Sequence, residues 1–148
     1  MPCPLTPGTL NHMVAFHAWN DSKTLHVEGG SAVILNHAVT NLGNAYDTTT
    51  GVFTAPVSGV YDFQASFLGK HLPGAVWLNI ILDGSIIARG ISDSRHGHYD
   101  QCTMKAIVHV DAGSKVFLKN NLSGAVDLYD GTNSPYTTFS GFLIKTDW

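Results

Sequence analysis

Residues 50–67 constrain the fold of this chain more than any other segment. They read TGVFTAPVSGVYDFQASF, so turn-forming glycine and proline pairs come first and an alternating run follows. In that run, large apolar residues alternate with polar ones: Tyr61, Phe63, Ala65 and Phe67 with Asp62, Gln64 and Ser66. Alternation with a period of two indicates a β-strand that has one buried face and one wetter face.

Short apolar runs separated by turn signals continue along the chain. The clearest pair, AVWLNIIL and SIIARGI, flanks Asp83-Gly84, which suits a type I′ hairpin turn because both of its central residues need positive φ. Residues 99–110 alternate again and place Cys102 on the apolar face. No segment of helical length shows an apolar period of 3.6 residues. Many short strands at close spacing predict an all-β sandwich or barrel.

The remaining segments are assigned from their turn content. Residues 21–30 are predicted to form a turn-rich excursion, residues 33–35 a short strand, and residues 36–47 a stretch that runs into a long loop. Residues 130–135, DGTNSP, form the densest turn cluster and precede the last strand, at residues 136–144. The large rings of Tyr61, Phe63, Phe139 and Phe142 are expected in the core.

The composition fits one folded domain. The chain has 148 residues, of which 44% are hydrophobic and 13% charged, so it is too apolar to be disordered. We assign residues 1–12 to an N-terminal tail and residues 13–148 to the domain. The formal charge of -3 gives no reason to expect nucleic acid as a partner. No apolar run approaches the roughly 20 residues that span a bilayer, so no membrane insertion is expected.

Signals of cellular location are few. The start of the chain lacks the basic and apolar regions of a signal peptide, which predicts either a cytosolic protein or a mature form. Two sequons, Asn20-Asp21-Ser22 and Asn121-Leu122-Ser123, favour a secreted context. The two cysteines are too few for a disulfide framework. We expect Cys102 to be a small buried residue, and Cys3 either to be free or to form an interchain bridge.

The most polar cluster lies between the strands that end near residue 91 and begin near residue 99. It contains His96, His98, Tyr99 and Asp100. In an extended segment His96 and His98 project to one side and could share a metal, but the sequence places no third ligand near them. A solvated loop, a glycan or protein contact, and a metal site all stay open, and we include these four residues in a candidate glycan site.

A second polar turn, at residues 129–133, has the composition of a sugar site. The Asp130 and Asn133 side chains can bond vicinal hydroxyls, and the Tyr129 ring can stack on the apolar face of a pyranose. Turn chemistry alone is the alternative, since Asp-Gly and Asn-Ser-Pro are turn formers. On the glycan interpretation we expect Asp130 on a surface loop, where its replacement changes binding and leaves stability almost unchanged.

No catalytic signature accompanies these loops. The chain has no G-x-S-x-G elbow, no P-loop and no dinucleotide fingerprint. We therefore predict a binding protein and not an enzyme, and we assign it no catalytic residues, no metal ligands and no cofactor.

Five segments, taken in order, resemble the signature of the globular domain of complement C1q. They are VAFHA at residues 14–18, VTNLGNAYD at 39–47, TGVFTAPV at 50–57, GVYDF at 59–63 and FSGFLI at 139–144. The resemblance covers nearly the whole chain. That domain belongs to the jelly rolls similar to tumour necrosis factor, and the chain most resembles the short head-only C1q-domain proteins of molluscs, many of which are soluble lectins.

The resemblance implies an all-β, ten-stranded jelly-roll sandwich that assembles as a compact homotrimer. It also implies a secreted protein without catalytic activity, which recognises proteins or microbial surfaces through its loops. Calcium-binding relatives carry acids near the threefold axis, whereas residues 70–73 here read Lys-His-Leu-Pro, so calcium is not expected there.

The expected function is therefore that of a secreted, trimeric pattern-recognition lectin, which binds microbial or cell-surface carbohydrate in innate immunity. Its candidate glycan contacts are His96, His98, Tyr99, Asp100, Tyr129, Asp130 and Asn133. Two alternatives stay open. One is a cytokine-like extracellular ligand for a protein receptor, and the other is a metal-binding extracellular protein, which the eight histidines suggest.

Overall fold

The computed structural model describes residues 13–70, 74–131 and 133–147, and within these ranges the chain forms β-strands and no helix. The strands are β1 (Ala15–Trp19), β2 (Thr24–Val27), β3 (His37–Leu42), β4 (Tyr46–Asp47), β5 (Val52–Thr54), β6 (Gly59–Leu68), β7 (Val76–Leu82), β8 (Ser85–Ser92), β9 (Gln101–Val110), β10 (Lys115–Asn120), β11 (Val126–Tyr129) and β12 (Thr138–Thr146). Two parts of the sequence analysis lie outside the described residues. They are the tail assigned to residues 1–12, which includes Cys3, and residues 71–73, on which the expectation about calcium partly rests.

Ten of the strands form two five-stranded sheets. The first sheet has the order β3-β1-β12-β6-β9 and the second has the order β4-β5-β10-β7-β8. Neighbouring strands are antiparallel, and most are distant in sequence, so the chain crosses repeatedly between the sheets. β2 and β11 pair with each other as a separate ribbon. The ten-stranded jelly roll expected from the sequence is therefore confirmed, with this ribbon added.

Aromatic rings fill the space between the sheets. Tyr61, Phe63 and Phe67 on β6 are fully buried, as the alternation of that strand predicts. The Phe16 ring on β1 lies at the centre of the cluster, with its centroid 5.0 Å from that of Tyr46 and 5.0 Å from that of Phe139. Such stacked and edge-on ring pairs stabilise a core beyond their buried area.

Phe142 corrects one sequence expectation, because its ring lies outside the core and is 46% exposed. The inward position of β12 is taken instead by Gly141. A Cβ atom at residue 141 would come within 2.7 Å of ring atoms of both Phe16 and Phe63, so only glycine fits without a shift of these rings. Since side chains alternate along a strand, the neighbouring Phe142 points to the opposite face of the sheet.

The hairpin between β7 and β8 forms as the sequence predicts. Asp83 and Gly84 have φ angles of 46° and 84°, and Leu82 pairs with Ser85 across the turn. The Asp83 carboxylate also accepts a hydrogen bond from the backbone amide of Lys115, at 2.9 Å. The turn is therefore fixed both by its own backbone and by a contact with β10.

Residues 21–47 differ from their prediction. The expected turn-rich excursion contains β2, which pairs with β11, and the expected long loop contains β3 and β4. β3 pairs with β1 at the edge of its sheet, and its buried and exposed positions do not alternate strictly. Residues 33–35 are not a strand, although Val33 and Leu35 are buried. These residues form strands because they pair with segments elsewhere in the chain, and local residue patterns do not indicate which segments pair.

Within the described ranges, no helix is long and apolar enough to cross a membrane.

Candidate functional site

A cavity of about 710 Å³ opens where the end of β6 meets the start of β9 and the end of β11. Leu68, Gln101 and Tyr129 line it from these three strands. Tyr99, from the first polar loop, and Asp130 and Asn133, from the second, also line it. The structure therefore brings together parts of the two loops that the sequence analysis singled out separately. Thr132 lies outside the described residues.

β6 is the element that positions both loops. At its end Leu68 pairs with Gln101 at the start of β9. The next residue, Gly69, forms an isolated β-bridge with Leu128 of β11, and the amide of Lys70 donates to the carbonyl of Asp127 at 3.0 Å. Since β9 and β11 both lie against this strand end, the residues that precede β9 and follow β11 face each other.

Three tyrosine rings give the cavity its aromatic character. The centroids of Tyr99 and Tyr129 are 5.9 Å apart in an edge-on arrangement, and the Lys70 ammonium lies 4.9 Å from the Tyr129 centroid. Tyr99 is 71% exposed, so its ring is available to a ligand. The third ring belongs to Tyr136, whose carbonyl accepts a hydrogen bond from the side-chain amide of Gln101 at 3.0 Å. An aromatic wall of this kind can bind the apolar face of a ligand.

Asp130 is the buried acid of the cavity wall. Only 3% of the residue is exposed, and its Oδ2 accepts a hydrogen bond from the backbone amide of Asn20 at 2.6 Å. Its Oδ1 is buried and has no hydrogen-bond partner among the described residues. Burial raises the pKa of this carboxyl to about 6, although the amides of Asn20, Gly131 and Thr137 partly oppose the shift.

The expectation that Asp130 lies on a surface loop is therefore wrong. The turn after β11 folds back on the chain segment that follows β1, and the Asp130 carboxylate holds that segment through the Asn20 amide. Asp130 does line the cavity, as a candidate site residue should. Because its side chain is buried, however, replacing Asp130 also changes the stability of the protein. A ligand role for Asp130 thus has to be separated from a structural one.

His96 and His98 are exposed and are not among the residues that line the cavity. Asp100 is likewise absent from the lining, and its carboxylate accepts a hydrogen bond from the Asp93 amide at 2.7 Å. Its backbone carbonyl accepts a further hydrogen bond from the Ser92 hydroxyl. Asp100 therefore orders the loop that carries Tyr99, and the two histidines stay outside the cavity.

The sequence analysis missed Asp21, Lys23 and Tyr136, which also line the cavity. Asp21 and Lys23 precede β2, and they reach the cavity because Thr24 pairs with Tyr129. Nothing in their local sequence signals this, because the pairing joins segments about a hundred residues apart. Among the residues that the structure describes, no group of three or more His, Cys, Asp or Glu could hold a metal ion.

A second surface is an apolar row across the outer face of the first sheet. Leu42, Ala15, Phe142, Asp62 and Ile107 are direct neighbours on successive strands. Leu42, Phe142 and Ile107 are exposed, whereas Asp62, which lies between Phe142 and Ile107, is buried and binds the Lys105 ammonium at 2.8 Å. The Asp62 Oδ1 has no partner among the described residues. Ala15 and Asp62 lie between these exposed side chains, and several large apolar residues exposed on one sheet face are typical of a protein interface.

A third surface lies on the outer face of the second sheet. Trp77 on β7 and Ile91 on β8 are cross-strand partners, and both are exposed. The residues on either side of Trp77 in sequence, Val76 and Leu78, point into the core, which fixes its outward direction. Trp77 is 45% exposed, so it is not a residue of the subunit core.

Comparisons with known proteins agree with this architecture. The family model of the C1q domain matches residues 15–144. Human complement C1q tumor necrosis factor-related protein 3 is 32% identical over 114 residues, which are 77% of this chain and 45% of that protein. The chain thus spans less than half the length of this relative.

Two solved structures show the same fold. The globular domain of zebrafish complement 1qA protein has a TM-score of 0.70 and 17% identity, and the match covers 90% of this chain and 99% of that one. The Eiger TNF of S. frugiperda has a TM-score of 0.74 and 10% identity, with 92% and 95% of the two chains covered.

Proposed function

Because the chain belongs to the C1q domain family, we propose that it is a secreted, trimeric recognition protein whose aromatic cavity binds carbohydrate. In this proposal its ligands are microbial or cell-surface glycans and its setting is innate immunity. It acts by binding and not by catalysis.

The observation that carries this proposal is the meeting of Tyr99 and Tyr129 at one cavity. An exposed tyrosine ring offers a flat surface for a pyranose ring, and Asn133 and Lys23 in the same wall supply donors and acceptors for its hydroxyls. The cavity lies at a strand end and is built from loops on a rigid sandwich, which is the usual arrangement of a binding site.

Assembly is the second part of the proposal. The apolar row of Leu42, Phe142 and Ile107 crosses the first sheet, and burial of this face between three subunits removes these side chains from water. A single shallow sugar site binds weakly. Three sites on one trimer raise the apparent affinity for a dense glycan surface by effective concentration, without any new contact.

The test is a glycan array printed at high density, followed by titration of the best-bound sugar. We expect Tyr99→Ala to weaken binding at least tenfold, about 1.4 kcal/mol. His98→Ala is the matched control, because this exposed residue belongs to the same loop but does not line the cavity. Failure to bind any glycan or bacterial polysaccharide, or equal effects of the two substitutions, would contradict the proposal.

A second candidate function, that of a ligand for a protein receptor, is favoured by the Trp77 and Ile91 pair. This apolar pair lies on the outer face of the second sheet, away from the row that we assign to assembly. Exposed aromatic and aliphatic residues are typical anchors of protein interfaces.

Cell binding before and after enzymatic removal of surface glycans separates the two functions. A receptor ligand keeps its binding on deglycosylated cells and loses it on Trp77→Ser. A lectin loses its binding on deglycosylated cells and on Tyr99→Ala, whereas Trp77→Ser has no effect.

A further inference from the structure

We infer that Asn121 is an N-glycosylation site of the folded protein and that Asn20, the other sequon asparagine, is not. The two triplets are equivalent by sequence, since each has Asn followed by Ser two residues later. The structure distinguishes them by the surroundings of the two asparagine side chains.

The Asn20 side chain is buried, and both of its polar atoms form hydrogen bonds within the fold. The residue is only 6% exposed, and its side-chain nitrogen donates a hydrogen bond to the carbonyl of Ile34 at 3.0 Å. Its side-chain oxygen accepts from the amide of Ser22 at 2.8 Å. An N-glycan is attached to this same side-chain nitrogen, and the first sugar needs open space there. A chain modified at Asn20 therefore cannot pack this segment as the structure shows.

Asn121 has the opposite environment. It follows the last residue of β10, Asn120, and it is exposed together with Ser123, which completes the sequon. Since consecutive residues of an extended chain alternate in direction, the burial of Asn120 points Asn121 outward. A sugar on the Asn121 nitrogen therefore extends into solvent.

Asn120 also fixes the turn that presents the sequon. Its side-chain nitrogen donates to the carbonyls of Val27 and Gly124, at 3.2 Å and 3.0 Å, and its side-chain oxygen accepts from the Leu122 amide at 3.1 Å. Leu122 is partly buried and packs against the core. The middle residue of the sequon is therefore anchored, while Asn121 and Ser123 on either side of it stay accessible.

Asn121 lies near the end of the β2–β11 ribbon that is remote from the proposed binding site. The ribbon of β2 and β11 has Tyr129 and Thr24 at its cavity end and Val126 and Val27 at the end near Asn120. These ends are three residues apart, or about 10 Å at the usual rise of a strand. Asn121 also follows a strand of the second sheet, whereas the apolar row lies on the first.

The experiment is secretion of the full chain from eukaryotic cells behind a heterologous signal peptide. Intact mass of the secreted protein is then measured before and after treatment with peptide N-glycosidase. We expect one N-glycan on the wild type, loss of that glycan in Asn121→Gln and Ser123→Ala, and its retention in Ser123→Thr.

Ser22→Ala is the matched control for the other sequon. It removes the acceptor signal but keeps Asn20 and its hydrogen bond from the backbone amide of residue 22. We expect the secreted Ser22→Ala protein to carry the same single glycan as the wild type. A secreted wild type without a glycan, a glycan that persists in Ser123→Ala, or a glycan lost in Ser22→Ala would overturn the inference. The signal peptide is supplied, so these results do not depend on whether the cavity binds sugar.

Discussion

The Asp130 carboxylate accepts a hydrogen bond from the Asn20 backbone amide at 2.6 Å, although the two residues are 110 positions apart. This contact joins the chain after β1 to the turn after β11. It holds the carboxyl group of Asp130 in the wall of the candidate site. One oxygen of this group has no hydrogen-bond partner among the residues that the structure describes. Buried carboxylates of this kind are costly to keep charged, and they often mark functional sites.

The first prediction concerns the pH dependence of stability. Burial raises the pKa of Asp130 from 3.8 to about 6, so the folded state binds this proton more tightly than the unfolded state does. The stabilising contribution of the protonated carboxyl is fully present below about pH 4 and is lost as pH rises through 6. Asp130→Asn should therefore remove a decline in the free energy of unfolding between about pH 4 and pH 6, as measured by urea denaturation.

Asp47→Asn is the control for this titration. The pKa of Asp47 is lowered by hydrogen bonds from Thr49, so its own contribution changes below about pH 4. The decline that we assign to Asp130 should persist in this variant. The same pH dependence in the wild type and in Asp130→Asn over this range would show that Asp130 is not the buried acid that the structure describes.

The second prediction compares two phenylalanines. Phe63→Ala should lower the free energy of unfolding by about 3–5 kcal/mol, because the ring is fully buried between the sheets. Phe142→Ala should cost the isolated subunit much less, since that ring is outside the core. Chemical denaturation of both variants, at a dilution where light scattering reports monomer, checks this difference. A loss below about 1 kcal/mol for Phe63→Ala would mean that the buried face of β6 is misassigned.

The third prediction concerns Gly141. An alanine Cβ there would lie 2.7 Å from ring atoms of Phe16 and Phe63, so Gly141→Ala should destabilise by about 1–3 kcal/mol through overpacking. Gly124→Ala is the matched control, because no described atom lies within 4 Å of its added Cβ. Equal melting temperatures of the two variants would contradict the close packing described for β12.

The fourth prediction concerns assembly. Light scattering should report a particle near three times 15.9 kDa. Phe142→Asp adds a charge to the middle of the apolar row and should shift the protein towards monomer, because an unpaired charge is costly to bury in an interface. Trp77→Asp, on the other sheet, should leave the mass unchanged. A wild-type monomer at micromolar concentration would contradict the trimer proposal.

The parts of the fold that sequence predicts are those that local chemistry decides. The alternation of β6 follows from its own residues, and the hairpin follows from the preference of Asp83 and Gly84 for positive φ. β2 and β3 escape prediction because each is a strand only by virtue of a distant partner. The sequence analysis wrongly assigned Phe142 to the core. Its neighbour Gly141 faces inward, so Phe142 faces outward, and the sequence does not show which of the two residues of β12 faces the core.

The same distinction between local and long-range causes applies to the residues of the candidate site. The residue types of Tyr99, Tyr129 and Asn133 suggest a ligand site, and the structure places all three residues in the wall of one cavity; that they bind a ligand stays a prediction. His96 and His98 have suitable chemistry but lie outside it, since Asp100 and Asp93 set the direction of their loop. The burial of Asp130 depends on Asn20, and no local pattern links the two residues.

Both polar loops are positioned by the end of β6, so the cavity exists only in the native state. Its walls come from segments that adjoin β1, β2, β6, β9, β11 and β12, so no peptide cut from the chain reproduces it. A ligand that fits the cavity would bind only when these segments are docked together. Its binding energy would then protect the backbone amides of the whole sandwich from hydrogen exchange, including those far from the ligand.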